Sequence, residues 1–157
     1  MSSIDVARFK EVLGHFVTGV AVVTASTPEG PVGFTCQTFG ALSLEPTLIS
    51  FSAVSASNSW PRAREVGVVG VNILSSDQEA IARVFGRSGS DKFAGIGWAP
   101  GPGGAPMIEG ALAHLEGQIE FVTSQGDHDI VVVAVEYVLS HHGAPLVFYR
   151  GGFGGFD

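Results

Sequence analysis

Ala111-Leu112-Ala113-His114-Leu115-Glu116-Gly117-Gln118-Ile119-Glu120-Phe121 alternates apolar and polar residues from Ala113 onward. A period of two puts Ala113, Leu115, Gly117, Ile119 and Phe121 on one face of a strand. His114, Glu116, Gln118 and Glu120 fall on the other, which reads as a half-solvated face. The stretch 129–138 that follows is apolar on both faces, as a strand in mid-sheet or against a partner is. Pro145-Leu146-Val147-Phe148-Tyr149-Arg150 is a last strand. Consecutive strands without intervening helices point to an antiparallel sheet and away from βαβ units.

Further strands lie upstream. Val20–Thr24 and Val32–Thr35 are the arms of a hairpin around the turn Thr27-Pro28-Glu29-Gly30-Pro31. Thr47–Phe51 and Gly67–Leu74 read as strands. Three short helices interrupt them. Ile4, Ala7, Val12, Leu13 and Phe16 recur near helical spacing behind a Ser2/Asp5 cap, and Gly14 and Gly19 close that region. Ser57 or Ser59 caps a turn beginning Trp60-Pro61-Arg62, and Ser75-Ser76-Asp77-Gln78 is a capping box opening Glu79–Phe85. Residues 95–106 form a Gly/Pro-rich loop in which Gly101, Gly103 and Gly104 mark a turn. The expected fold is mainly β with a few short helices, a small antiparallel barrel.

A length of 157 residues predicts a single domain over 1–157. Hydrophobic residues make up 45% and charged residues 15%, which excludes intrinsic disorder. So few charges cannot coat a small monomer evenly, so a homodimer with a buried interface is expected. Eight Lys+Arg against fifteen Asp+Glu give a net charge of −7, and the tightest basic group is Arg83, Arg87 and Lys92. No nucleic-acid partner fits that balance. The lone Cys36 can form neither an internal disulfide nor a zinc site. The first residues lack the order of a secretory leader, and Ile130–Val135 falls far short of the ~20 residues of a membrane span. The expectation is a cytoplasmic protein without membrane contact.

Few constellations carry chemistry by themselves. Asp127 and Asp129 read as a turn residue and a strand-edge residue, and His141-His142 as loop histidines without a ligand set. There is no G-x-S-x-G elbow, no P-loop and no G-x-G-x-x-G between strand and helix. The stretch Ser52 to Ser59 follows a strand and precedes a helix, so it offers hydroxyls and backbone N–H groups to an anion. The same composition also serves as a plain cap.

Taken in order, the segments Phe16-x-Thr18-Gly19-Val20-Ala21-Val22-Val23-Thr24, Pro31 to Phe39, Ala41 to Pro46, Ser57-x-Ser59-Trp60, Val71-Asn72-Ile73-Leu74, Asp91 to Ile96, Gly126-Asp127-His128 and Phe148 to Gly151 are weak singly and strong together. In that order the chain resembles the short-chain flavin reductases of the FMN-binding split-barrel superfamily, the reductase components of two-component flavin-dependent monooxygenases. Where many relatives carry Asn-Ser, this chain has Gln37-Thr38, which keeps donor and acceptor capacity.

The resemblance implies a split β-barrel of antiparallel Greek-key type. It implies an NAD(P)H:flavin oxidoreductase (EC 1.5.1.-) that reduces FAD or FMN with NADH or NADPH and supplies diffusible reduced flavin to a monooxygenase. The alternative is a non-catalytic flavin- or haem-binding module of the same fold. Thr35, Cys36, Gln37 and Thr38 would line the isoalloxazine edge, with Cys36 a small buried filler. Ser57, Asn58 and Ser59 would meet the flavin phosphate, and Ser52, opening the same stretch, joins the cofactor-binding set. Lys92 and Phe93 match an Asp-Lys-Phe segment near phosphate or ribityl, and His128 would contact the nicotinamide. Tyr149 and Arg150 would wall the pocket. Each has a plainer reading as hairpin, cap, loop lysine, turn histidine or core aromatic. Hydride transfer between two cofactors requires no indispensable acid or base.

Overall fold

The computed structural model describes residues 3–89 and 91–156. Its elements in chain order are α1 (Val6–Leu13), β1 (Thr18–Gly19), β2 (Ala21–Thr27), β3 (Gly30–Cys36), β4 (Gly40–Ser43), β5 (Leu48–Val54) and α2 (Ser59–Val66). Then come β6 (Val68–Ile73), α3 (Glu79–Phe85), β7 (Trp98–Pro100), β8 (Pro106–Ile108), β9 (Ala113–Gln125), β10 (His128–Ser140), β11 (Leu146–Tyr149) and β12 (Gly152–Gly155).

Seven strands form one antiparallel sheet in the order β3-β2-β6-β9-β10-β5-β4, and β1-β11-β12 and β7-β8 make two small ones. The β2–β3 and β4–β5 hairpins sit at opposite ends, yet the sheet curls until β3 and β5 meet. No backbone ladder joins them. The Ser52 N–H donates to Thr38 Oγ1 (2.8 Å) and the Thr38 hydroxyl donates to the Ser52 carbonyl (3.1 Å). One side chain thus imitates a rung of the ladder across the split in the barrel.

The barrel interior is filled by one face of each long strand, Val23 and Ala25 of β2, Phe51 of β5, Val69 and Val71 of β6, Val131 and Val133 of β10. Helix α2 packs against β2 and β3 and drives Trp60 into this core. The Trp60 ring stands edge-on to Phe34 and Phe51 at 6.4 and 5.9 Å. Ser57 Oγ accepts from the Trp60 N–H (3.3 Å) and Pro61 lies in the first turn, as the sequence predicts. Helix α3 packs on β3 over a second cluster around Phe85, Leu74 and Ile108. Its expected capping box is half formed: Gln78 Oε1 reaches back to the Ser75 N–H (3.0 Å), but no side chain caps the helix.

At α1, Asp5 accepts from the Ala7 N–H (3.1 Å), while Ser2, expected to share that cap, lies outside the described residues. None of the helix residues is buried: its own Phe9, Val12 and Leu13 stand exposed, as does Phe16 just beyond it. Val138 and Leu139 of β10 are likewise exposed. Among the described residues, no helix is long and apolar enough to cross a membrane.

The polar face of β9 is a correction. His114 and Glu116 were expected in water, but they are only 6% and 4% exposed. The loop before β9 folds back over them. Glu116 accepts from the Gly103 and Ala105 N–H groups, which requires the Gly101–Gly104 turn to approach so closely that a Cβ at Gly101 or Gly103 would strike the carboxylate. The Oδ1 of Asn72 accepts from Ile108 N–H (2.8 Å), so His114 Nδ1, 2.9 Å away, carries the proton it donates there.

Candidate functional site

The two edges of the split, the Ser-rich loop before α2 and the end of α3 enclose a groove of about 640 Å³. Ten residues expected at the site from the sequence line it: Thr35 to Thr38, Ser52, Ser57 to Ser59, Lys92 and His128. Segments separated by more than ninety positions meet because β3 and β5 face each other across the split and the β9–β10 hairpin runs beside β5. The groove mixes apolar wall from Phe34, Ala53 and Val54 with hydroxyls, amides and one ammonium group, a composition suited to a planar ring system with a polar tail.

At one end stand Ser57, Asn58, Ser59 and the beginning of α2, with Lys92 above them. Lys92 Nζ donates to the carbonyls of Gly33 (3.1 Å) and Phe85 (3.2 Å) and to Ser59 Oγ (3.4 Å). Partial burial lowers its pKa from the ordinary lysine value. The lysine is no free loop cation: it ties β3 to α3 and to the first turn of α2, and leaves its charge beside the serines. Phe93, next in sequence, does not line the groove; it packs edge-on against Phe85 (4.8 Å) and Trp98 (5.8 Å) behind the wall. Cys36 is buried, which pushes its thiol pKa up despite its contact with Thr38 (3.2 Å), so it fills space as a neutral thiol.

At the other end, His128 follows the β9–β10 turn, where Gly126 takes a φ of 63°. Its Nδ1–H donates to Asp127 Oδ1 (2.6 Å), and this bond holds the Asp127 carboxyl below its ordinary value. Nε2 remains as the ring's unpaired nitrogen among the described residues. Asp129 corrects the sequence reading, for it is a buried hub and not a plain edge residue. It accepts from Trp60 Nε1 (2.7 Å), Ser124 Oγ (2.8 Å) and Ser55 Oγ (2.8 Å), which lower its pKa in that order, with Arg64 at 3.7 Å adding to them. Through these bonds the hairpin carrying His128 is fixed to the Ser-rich loop and to α2.

Tyr149 and Arg150 are not brought to the groove within one chain. Tyr149 ends β11 and Arg150 follows it beside the end of α1, where the Arg150 N–H donates to the Gly14 carbonyl (3.0 Å). Sequence reasoning missed the stretch after α3, Gly86 to Gly89, which forms a wall of the groove. The basic trio Arg83, Arg87 and Lys92 was its signal, since Arg87 and Lys92 both line the groove. Among the described residues no His/Cys/Asp/Glu cluster has the makings of a metal site.

Residues 13–157 match the flavin reductase like domain family. The reductase subunit HsaB of a flavin-dependent monooxygenase from Rhodococcus jostii is 41% identical over 156 residues, 99% of this chain and 80% of that protein. The FMN reductase (NADH) SmoA of Agrobacterium fabrum is 38% identical, over 95% of this chain and 85% of its own length. Nitrilotriacetate monooxygenase component B from Mycobacterium thermoresistibile superposes with a TM-score of 0.92 at 40% identity, covering 96% of this chain and 86% of that one. The NADH:FAD oxidoreductase SgcE6 of Streptomyces globisporus, solved with NAD and FAD fragments, superposes with a TM-score of 0.92 at 31% identity, covering 100% and 98%.

Proposed function

The chain belongs to the flavin reductase like domain family, and from that premise we propose that residues 1–157 form one NAD(P)H-dependent flavin reductase domain (EC 1.5.1.-). It oxidises NADH or NADPH, reduces FAD or FMN and hands reduced flavin to a separate monooxygenase. The observation that carries this reading is the gathering of Thr35–Thr38, Ser52, Ser57–Ser59, Lys92 and His128 around one groove.

The donor set fits a flavin. Hydroxyls, backbone N–H groups and the Lys92 charge converge at the α2 end, where an anionic phosphate gains most. The Thr35–Thr38 and Ser52–Val54 edges offer a narrow slot with polar groups along both rims. Bound there, flavin and dinucleotide supply the redox chemistry themselves. The protein's contribution is alignment. Asp127 fixes the imidazole of His128 by its Nδ1–H, so Nε2 can hold the nicotinamide amide against the slot. No side chain is required to exchange a proton. The orienting element His128 favours a reductase over a non-catalytic binding module.

The working unit is a homodimer in the cytoplasm, where the nicotinamide donors are at hand. The exposed apolar side chains of α1 and of β10 form the surface that a second copy covers. Light scattering that gave the mass of one chain at micromolar concentration would exclude it. The activity is tested by following NADH and NADPH oxidation with FAD or FMN added in turn. Absence of flavin-dependent oxidation with every pair refutes the proposal.

A further inference from the structure

Past the phosphate end, the groove opens into a second hollow of about 230 Å³, the two meeting at Asn58, Ser59, Gly89 and Lys92. Beyond the junction stand the guanidinium of Arg62 and the carboxylates of Glu29 and Asp91, with Pro31 and Val32 as apolar wall. Arg62 is half-buried and, among the described residues, pairs with no carboxylate. It is the one arginine among the described residues that is not exposed. Two positions on in the same helix, Arg64 is paired with Asp129.

The three N–H donors of Lys92 are already engaged with Gly33, Phe85 and Ser59. A second phosphate, joined to the first through a bridging oxygen, therefore meets its free donors in Arg62, whose planar fork suits a phosphate. Carboxylates opposite a phosphate-binding cation are ill suited to a further phosphate but accept hydrogen bonds from a ribose diol, the pairing known from dinucleotide sites. Phosphate, diol and an apolar wall together describe a ribonucleotide.

We infer that this hollow seats the adenylate half of FAD, with Arg62 on its phosphate, so that the protein binds FAD in preference to FMN. The inference rests on the reading of Ser57–Ser59 and Lys92 as the flavin phosphate site. A rival seat exists on the far side of Gly86 and Arg87, where a hollow of about 410 Å³ is lined by Arg83, Arg87 and Phe153. There Arg83 is already spent on Glu79 (3.3 Å) and on the Phe153 ring face (5.0 Å), which leaves Arg87 as the only unengaged cation of that hollow among the described residues.

The experiment is a fluorescence titration of the full chain with FMN and with FAD, for the wild type, Arg62→Gln and Arg87→Gln. The expected wild-type preference for FAD is about tenfold or more, one charge-assisted contact. Arg62→Gln brings FAD to within about threefold of FMN and leaves FMN affinity within about twofold of wild type; Arg87→Gln keeps the preference. Equal wild-type affinities, a preference that survives Arg62→Gln, a loss of FMN affinity in that variant, or a preference removed by Arg87→Gln instead each overturn the inference. FMN that does not bind the wild type at all strikes the proposed function itself, whereas FMN binding without FAD preference strikes only the adenylate seat.

Discussion

Replacing Lys92 by methionine shortens the unbranched side chain by one atom and removes its charge and three donors. Two costs follow. The carbonyls of Gly33 and Phe85 lose a partner each, about 0.5–1.5 kcal/mol per bond. Methionine offsets part of this because no ammonium has to be desolvated, so a net loss of about 1–2 kcal/mol is expected, or a Tm drop of roughly 2–8 °C. The second cost falls on the ligand. Ser59 Oγ is 3.4 Å from Nζ, and an anion accepting from that hydroxyl lies about 6 Å from the charge. At an effective dielectric of ~20 the attraction is about 3 kcal/mol. Lys92 is partly solvated, so about one third to two thirds of that survives screening, about 1–2 kcal/mol, or roughly 5–30-fold in Kd. Riboflavin has the same ring and ribityl chain without the phosphate. Fluorescence titration of Lys92→Met should therefore show FMN weakened roughly 5–30-fold and riboflavin changed less than about twofold. If both ligands weaken alike, Lys92 acts by shaping the wall through Gly33 and Phe85, and the phosphate site lies elsewhere.

His128→Ala should raise the NAD(P)H KM or lower kcat by about 10–100-fold, since alignment is lost but no proton relay. Flavin Kd should stay unchanged, and a lowered Tm with wild-type kinetics would remove His128 from the site. His114 has its pKa lowered from 6.5, first by burial and then by the neighbouring His141. Below about pH 6.5 the unfolded chain therefore binds a proton that the folded chain refuses. Stability should be fully present above that pH and decline as pH falls toward the depressed folded value. His114→Asn keeps a donor for Asn72 without titrating, so its urea midpoint should fall less between pH 7 and pH 5; equal slopes would contradict the assignment. Gly117→Ala drives a Cβ into the backbone of Ala134 on the neighbouring strand, where no flexible side chain can yield. A loss of about 3 kcal/mol, near 10 °C in Tm by thermal denaturation, is expected, and an unchanged Tm would mean that β10 shifts freely.

Local chemistry was readable where neighbours in sequence decide it. The Thr27–Gly30 turn, Pro61 in a first turn and the apolar runs of β2 and β6 carry their own signals, and each element is found. The groove was foreseeable through its ordered segments, not through any one residue: Gln37 and Ser52 acquire meaning only once the split brings their strands together. Failures share one cause. His114 and Glu116 alternate with apolar residues just as a solvated face does, and the loop that bonds to Glu116 lies more than ten positions back, outside the reach of a period of two. Asp129 looked like a strand edge because its partners Trp60 and Ser55 lie some seventy positions away. Periodicity reports which residues share a face; it is silent on what the rest of the chain lays over that face.

An eight-residue helix does not hold itself in water, where the entropy of nucleation outweighs so few hydrogen bonds. Helices this short persist because packing freezes one side of them, and α1 has no buried side. Its order must then be supplied by whatever lies against Phe9, Val12 and Leu13, and under the dimer proposed above that is another molecule. Ordering of the N-terminal segment becomes a bimolecular event. The barrel buries its clusters within one chain, whereas the helix follows mass action, gaining population with the concentration of chain. Helicity of this segment is accordingly a property of the solution as much as of the sequence.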